Sequence, residues 1–151
     1  MKNENRFLDK HEARELAIET LYALDFNDQI TSYPDLTNLP GKNDEEMKEL
    51  PEDVLFYARY LISGVLSHLT EIDEIISKYS INRPLDKINY VDRNILRMSV
   101  FALLYEKDLH PSIVINEAVK LSQEMSTDVT YKFINGILDA ISKKEISRWF
   151  S

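Results

Sequence analysis

Few side chains in this sequence of 151 residues have the type and spacing that catalysis requires. Cysteine is absent, which excludes disulfides, thiolate nucleophiles and zinc–cysteine sites. The three histidines, His11, His68 and His110, are far apart, and each is more simply a surface histidine than a ligand or a base. With only three glycines there is no glycine-rich phosphate loop, and no serine has the context of a nucleophile elbow. We therefore predict a non-enzymatic protein with no catalytic residue, cofactor or metal.

The chemistry that remains is phosphate binding by basic side chains near the N-terminus. Lys10, His11 and Arg14 lie on one side of a predicted helix, and Arg6 precedes them. They are either a solvated helix start, which the net charge of −8 favours, or an arm that contacts phosphates. Residues 1–14 hold four basic and three acidic residues, whereas residues 42–53 hold two basic and six acidic ones. The distribution of charge matters here more than its sum, because phosphate contacts depend on the local potential.

Aromatic and charged residues elsewhere have competing interpretations. Tyr22 and Phe133 could stack on bases, although aromatic residues in helical stripes belong more often to a core. A buried polar network is one interpretation of four charged residues: Asp92, Arg97, Glu106 and Glu117. A solvated helix edge is the simpler interpretation of the acidic residues in the segment 71–74.

Apolar residues recur at helical spacing in the N-terminal half. The pattern predicts a helix over residues 9–26, opened by a capping box of Asp9 and Glu12. Residues 27–50 lack a pattern and read as a surface excursion with one short acidic helix near residues 44–50. Pro51 then suits the first turn of a helix that runs to about Tyr79, with a bend near Gly64 or Ser67.

Three further helices are predicted after Pro84. The first covers residues 88–105 and has an apolar face broad enough for a central, mostly buried helix. The second covers residues 113–125, and the third begins near Thr127 as N-cap. Within the third, Gly136 is expected to allow close approach of another backbone or of a ligand. No strand pattern, membrane span or signal peptide is present, so we predict an all-α protein of the cytoplasm.

Four stretches in order make this sequence resemble the NusB antitermination family. They are Glu12-Ala13-Arg14-Glu15-Leu16-Ala17 running into Leu21-Tyr22, Val91-Asp92-Arg93-Asn94-Ile95-Leu96-Arg97-Met98, Ile115-Asn116-Glu117-Ala118-Val119-Lys120-Leu121, and Lys132-Phe133-Ile134-Asn135-Gly136-Ile137-Leu138-Asp139. Each stretch alone is a weak signal, but four in order over most of the chain form a specific match.

The resemblance implies a single NusB-like domain over residues 1–151, with two packed helical sub-bundles of about seven helices. Its halves would cover about residues 1–80 and 84–151. It also implies binding of box A RNA from ribosomal RNA leaders, as a heterodimer with the small-subunit ribosomal protein NusE, in the antitermination complex of RNA polymerase. The residues implied for RNA are Arg6, Lys10, His11, Arg14, Tyr22 and Lys132. Those implied for the protein partner are Asp92, Met125, Val129 and Phe133.

The sequence departs from the family pattern in three places. Its N-terminus is only mildly basic, which predicts weaker RNA binding alone and greater dependence on the partner. Met125 and Val129 stand where an aromatic and a polar residue are expected, and the excursion over residues 27–50 is long. The alternative is a helical adaptor, or a homodimer, with little RNA binding.

Overall fold

The computed structural model describes the backbone of residues 2–31 and 35–146, and the side chains of residues 10–31 and 35–146. Every regular element in these residues is helical, which confirms the predicted all-α fold. The elements are α1 (Lys2–Phe26), α2 (Asp44–Glu49), α3 (Glu52–Ser67), α4 (Leu69–Tyr79), a 3-10 turn (Leu85–Lys87), α5 (Tyr90–Tyr105), α6 (Pro111–Met125) and α7 (Tyr131–Glu145). None of the described helices is long and apolar enough to cross a membrane.

Helix α1 begins earlier than its sequence pattern suggests. It starts at Lys2, so the prediction of a helix start at Asp9 is wrong. Residues 2–8 contain neither proline nor glycine, the residues that break a helix. The helix can therefore extend toward the N-terminus beyond Asp9. Asp9 and Glu12 have the spacing of a capping box, but a capping box requires that the residues before it are not helical. Here those residues belong to α1, so Asp9 is not an N-cap.

The first compact unit, Met1–Ser67, is held by the packing of α1 against α3. The predicted apolar stripe of α1 is buried, with no member more than 5% exposed: Ala13, Leu16, Ala17, Leu21 and Leu24. The buried face of α3 consists of Val54, Ala58, Leu61, Ile62, Val65 and Leu66. Full burial of one leucine or isoleucine contributes about 1.5–3 kcal/mol relative to exposure, so this helix pair is the main source of stability in the unit.

The excursion between α1 and α3 is anchored to the first unit over residues 35–50. The guanidinium of Arg59 donates from Nε to the carbonyl of Leu36 and from Nη2 to the carbonyl of Thr37, each over 2.9 Å. Leu39 is only 1% exposed. The predicted short acidic helix is confirmed as α2, which opens on a capping box between Asn43 and Glu46. The long insertion is thus tied to α3 by one arginine and one buried leucine.

The long apolar stripe that follows Pro51 is interrupted at His68. Helix α3 ends at Ser67 and α4 starts at Leu69, close to the bend expected near Gly64 or Ser67. The second compact unit begins here and covers His68–Ser151, whereas the sequence suggested halves that meet between about residues 80 and 84. Helix α4 belongs to this unit because it packs against α5 and α7 and fully buries Ile72 and Ile76.

Helix α5 is the centre of the second unit, as its broad apolar face predicts. Every residue from Asp92 to Leu103 is buried, and α4, α6 and α7 all pack on it. The Arg97 guanidinium, 4% exposed, forms a two-point pair with the Asp73 carboxylate, at 2.9 Å from Nε and 3.0 Å from Nη2. Arg97 also donates to Asn94 Oδ1 over 3.1 Å. The interpretation of Asp73 as part of a solvated helix edge is therefore wrong.

Two predictions for α7 are also wrong. The helix starts at Tyr131 with Thr130 as N-cap, not near Thr127. The Thr127 hydroxyl nevertheless accepts the Thr130 N–H (3.2 Å), as a capping side chain does, in the turn that precedes the helix. Gly136 lies inside α7 as predicted, but a Cβ built on it would meet nothing within 4 Å. Among the described residues, no neighbouring helix is therefore in close contact at that position.

The open space at Gly136 predicts that Gly136→Ala stabilises the protein. Alanine is favoured over glycine in a helix by about 1 kcal/mol, and no clash offsets that gain. Chemical denaturation should show this increase in the free energy of unfolding. Gly41→Ala is the control: its site is equally open, but the φ of +87° should make the substitution destabilising by about 1–2 kcal/mol. A lower midpoint for Gly136→Ala would show that the site is crowded.

The ends of α4 and α7 are joined by groups that titrate, which predicts a pH dependence. The Tyr79 hydroxyl donates to Glu145 Oε2 over 2.7 Å and Lys78 Nζ lies 3.2 Å from the same oxygen. The Tyr79 hydrogen bond first, and then Lys78, hold the pKa of the Glu145 carboxyl below its ordinary value, and the same hydrogen bond raises the pKa of Tyr79.

A carboxyl whose pKa is depressed on folding stabilises the fold above its unfolded-state pKa and loses this effect as the pH falls through the folded-state pKa. A tyrosine with a raised pKa behaves in the opposite sense on the alkaline side. We expect Glu145→Gln to be less stable than the parent at neutral pH and to match it at both extremes in urea denaturation. Asp139→Asn, which removes an exposed pair with Lys143, is the control and should show little effect. A stability difference that is constant with pH would contradict this.

Candidate nucleic-acid and partner interface

Tyr57 on α3 organises two of the basic residues of α1. Lys10 Nζ lies 5.6 Å from the centroid of the Tyr57 ring, and Arg14 Cζ lies 5.8 Å from it. Both distances suit cation–π attraction. Arg14 is only 9% exposed, whereas Lys10 is half-buried. Of these two, Lys10 is the better placed to reach a phosphate, and Arg14 is the better placed to hold Tyr57.

The other residues predicted for RNA in the first unit differ in accessibility. His11 Nε2 lies 3.5 Å from Glu15 Oε1, one helical turn away. Tyr22 is 38% exposed and stacks on the ring of Phe26 with centroids 5.9 Å apart. The interpretation of Tyr22 as a core residue is therefore wrong. The side chain of Arg6 lies outside the described residues.

The charge of the first unit limits how an anion can approach it. Residues 1–67 contain seven basic and fourteen acidic residues, whereas residues 68–151 contain eleven and twelve. Nearly all of the net negative charge is thus on the unit that carries Lys10 and Tyr22. Attraction of phosphate must come from the local group and not from the overall field.

The residues predicted for a protein partner surround the turn between α6 and α7. Met125 ends α6 and is half-buried, and Val129 in the turn is 71% exposed. Phe133, in the first turn of α7, is half-buried beneath Arg83, whose Cζ lies 4.7 Å from the ring centroid. Lys132, predicted for RNA, is exposed beside it. All four predicted residues therefore lie in the turn between α6 and α7 or in the helix ends next to it.

Asp92 occupies a different position, because its carboxylate is inside the unit. It is 1% exposed, accepts hydrogen bonds from Asn89 Nδ2 (2.6 Å) and Ser122 Oγ (3.1 Å), and stands in the first turn of α5. The Ser122 hydroxyl lies 3.4 Å from the hydroxyl of Thr130, the N-cap of α7. Asp92 therefore supports the turn that presents Val129 and Phe133.

Three residues of these arrangements escaped the sequence reasoning: Tyr57, Arg83 and Ser122. Tyr57 had a detectable signal, because Tyr57 and Tyr60 are three residues apart on a helix and stack with centroids 5.9 Å apart. The contacts of Arg83 with Phe133 and of Ser122 with Asp92 join residues that are distant in the chain, and no local pattern indicates them.

Comparison with known proteins identifies the family. The family model described as the NusB family matches residues 11–143 of this chain. The transcription antitermination protein NusB of Treponema denticola is 38% identical over 135 residues, which cover 89% of this chain and 96% of that protein. The chain belongs to the NusB family. It is accordingly a transcription antitermination factor and not an enzyme.

Solved NusB structures agree with this assignment. The NusB structure of T. maritima superposes with a TM-score of 0.73 at 29% identity and covers 89% of this chain and 91% of that one. A crystal structure of the antitermination factors NusB and NusE in complex with double-stranded RNA matches with a TM-score of 0.68 at 31% identity, covering 89% and 96% of the two chains. The fold of this NusB-family member is therefore one that has been crystallised with both RNA and a protein partner.

The burial of Asp92 predicts that the main effect of Asp92→Ala is a lower free energy of unfolding. Removal of the carboxylate takes the acceptor from the buried Ser122 hydroxyl and from the exposed Asn89 amide, and loss of the acceptor of a buried donor costs about 1–3 kcal/mol. Denaturant titration should show that loss. Val129→Ala, at an exposed position of the adjoining turn, is the control and should change stability by about 0.5 kcal/mol or less. Equal stability of Asp92→Ala and the parent would show that the carboxylate does not support the turn.

Proposed function

We propose that this NusB-family protein binds box A RNA of ribosomal RNA leaders as a heterodimer with the ribosomal protein NusE. It would act in the cytoplasm, within the antitermination complex of RNA polymerase. The observation that carries the proposal is the similarity, over 89% of the chain, to the NusB that was crystallised with NusE and RNA. The surroundings of Lys10 and Tyr22 in the first unit support it, and so do those of Phe133 in the second unit.

The RNA face that we propose in the first unit consists of Arg6, Lys10, His11 and Tyr22. Lys10 supplies a charge for phosphate, and the exposed ring of Tyr22, stacked on Phe26, offers an aromatic surface for a base. Arg14 contributes by holding Tyr57, the ring that also faces Lys10. Lys132 is the basic residue that we assign to RNA in the second unit.

The partner face that we propose consists of Met125, Val129 and Phe133, with Asp92 as the positioning residue beneath them. Exposed apolar and aromatic side chains are typical anchors of protein interfaces. Because the chain is acidic and its RNA face holds few cations, we expect RNA to bind the heterodimer more tightly than the isolated chain. By linkage, RNA then strengthens binding of NusE by the same factor.

The second candidate is a helical adaptor or homodimer with little RNA binding, which the excess of acidic residues in residues 1–67 favours. RNA binding measured with and without NusE, together with the mass in solution, separates the two. An adaptor binds NusE alone, and RNA adds nothing to that affinity.

The salt dependence of RNA binding provides a residue-level test. Each phosphate contact to a single strand contributes about 0.7 to the slope of log affinity against log salt. Lys10→Gln should therefore reduce the slope for the heterodimer with box A RNA by about 0.7. Arg14→Gln is the matched comparison: its side chain is buried, so it should lower stability and leave the slope nearly unchanged. A slope unaffected by Lys10→Gln would remove Lys10 from the RNA face.

A further inference from the structure

Helix α3 carries exposed aromatic side chains on the side opposite its buried face. Phe56 is 78% exposed and Tyr60 is 42% exposed, and residues four apart in a helix are neighbours on its surface. The exposed Ser63 and Ser67 continue the same line toward the end of the helix. We call Phe56, Tyr60, Ser63 and Ser67 the outer row of α3. Because the helical period directs the buried residues of α3 to its other side, the outer row takes no part in the packing of α3 on α1.

The outer row adjoins the cationic residues of α1 through one ring. Tyr57 is half-buried beside the row and stacks on Tyr60, with the ring centroids 5.9 Å apart and the ring planes 19° from parallel. Lys10 Nζ lies 5.6 Å from the centroid of the Tyr57 ring, and Arg14 Cζ lies 5.8 Å from it. A strand whose phosphate pairs with Lys10 therefore has its neighbouring bases close to Tyr60.

The charge of the first unit makes stacking a suitable source of affinity for RNA. Residues 1–67 contain twice as many acidic as basic residues, and the Arg59 guanidinium donates to the carbonyls of Leu36 and Thr37. Phosphate contacts can therefore supply only part of the affinity of this unit for a strand. Stacking of a base on an aromatic ring does not require positive charge, and it accepts every base because every base has a π-face. The outer row offers two such rings.

The charges beside the outer row leave a path for an anionic strand. The row itself contains no carboxylate, and Glu52 and Asp53 stand in the first turn of α3, at one end of it. A strand that enters from the side of Lys10 and runs toward the end of α3 moves away from that acidic turn. On this path the exposed Ser63 offers a hydroxyl, which is a common donor to phosphate oxygens.

We infer that the outer row of α3 is a second RNA subsite, where unpaired bases of the strand held at Lys10 stack on Tyr60 and Phe56. Ser63 donates a hydrogen bond to a phosphate of the same stretch. This inference rests on the proposed RNA binding and extends the RNA face from α1 to α3.

Removal of each ring tests the inference in the heterodimer with NusE and a single-stranded box A RNA. Phe56→Ala and Tyr60→Ala should each weaken RNA binding at least about fivefold, the lower end of the effect of losing one stacked base. The slope of log affinity against log salt should stay that of the parent, in contrast to the loss of about 0.7 expected for Lys10→Gln. Phe56→Trp should keep the affinity, because its ring still stacks, and Phe56→Leu should lose it.

Abasic RNA and a control variant identify the base as the occupant. Box A RNAs that lack one base at successive positions should include one that binds the parent more weakly but binds Phe56→Ala no more weakly than the intact RNA does. Ile113→Ala removes an apolar side chain of the second unit that is 47% exposed, and should bind RNA as the parent does. Phe56→Leu replaces Phe56→Ala if circular dichroism shows that the alanine variant does not fold.

Three outcomes would decide against the subsite. If the folded variants of Phe56 and Tyr60 bind RNA as tightly as the parent while Lys10→Gln binds more weakly, the inference is overturned and the proposed RNA binding is retained. If these variants lose affinity for NusE and not for RNA, or change the mass of the free chain in solution, the outer row is a protein surface and the inference is wrong. A parent heterodimer that does not bind box A RNA refutes the proposed function, and the subsite with it.

Discussion

The packing of the second unit depends on the hydrogen bonds of the buried Arg97 guanidinium, which lies on the central helix α5. A buried charge without a partner costs several kcal/mol, because desolvation is then uncompensated. Arg97 is only 4% exposed, and it is satisfied by two bonds to Asp73 and one to Asn94. The Asp73 pair fixes α4 against α5, and α4 in turn brings Tyr79 and Lys78 to Glu145 at the end of α7. These contacts join α4, α5 and α7 within the second unit.

A second buried carboxylate sets the presentation of the partner face. Asp92 accepts from Ser122 on α6 and from Asn89 before α5, and Ser122 lies beside Thr130 at the start of α7. These side chains bring the starts of α5 and α7 and the end of α6 to one place. Val129 is thereby exposed on a supported turn and not on a loose loop, and the half-buried Phe133 follows it in the first turn of α7. A binding surface with such support loses little conformational entropy when a partner docks.

The proposed RNA face lies on the first unit, which carries twice as many acidic as basic residues. Tyr57 draws the cationic ends of Lys10 and Arg14 toward one ring, and Arg59 is committed to the carbonyls of Leu36 and Thr37. The available positive charge is therefore small and local. A protein of this kind gains affinity for RNA through a partner more readily than through its own field, which agrees with the proposed heterodimer.

The sequence by itself determined the helical class, because apolar residues at a period of 3.6 define a buried face whatever covers it. It also determined the family, through four ordered motifs, and the absence of thiol and phosphate-loop chemistry. Only the tertiary structure decided that Arg14 is buried while Tyr22 is exposed, that Asp73 pairs with Arg97, and that Gly136 is open. The Asp73–Arg97 and Asp92–Ser122 contacts join residues 24 and 30 positions apart. A helical period gives the direction of a side chain from its own axis, but the neighbour it meets depends on how the helices pack.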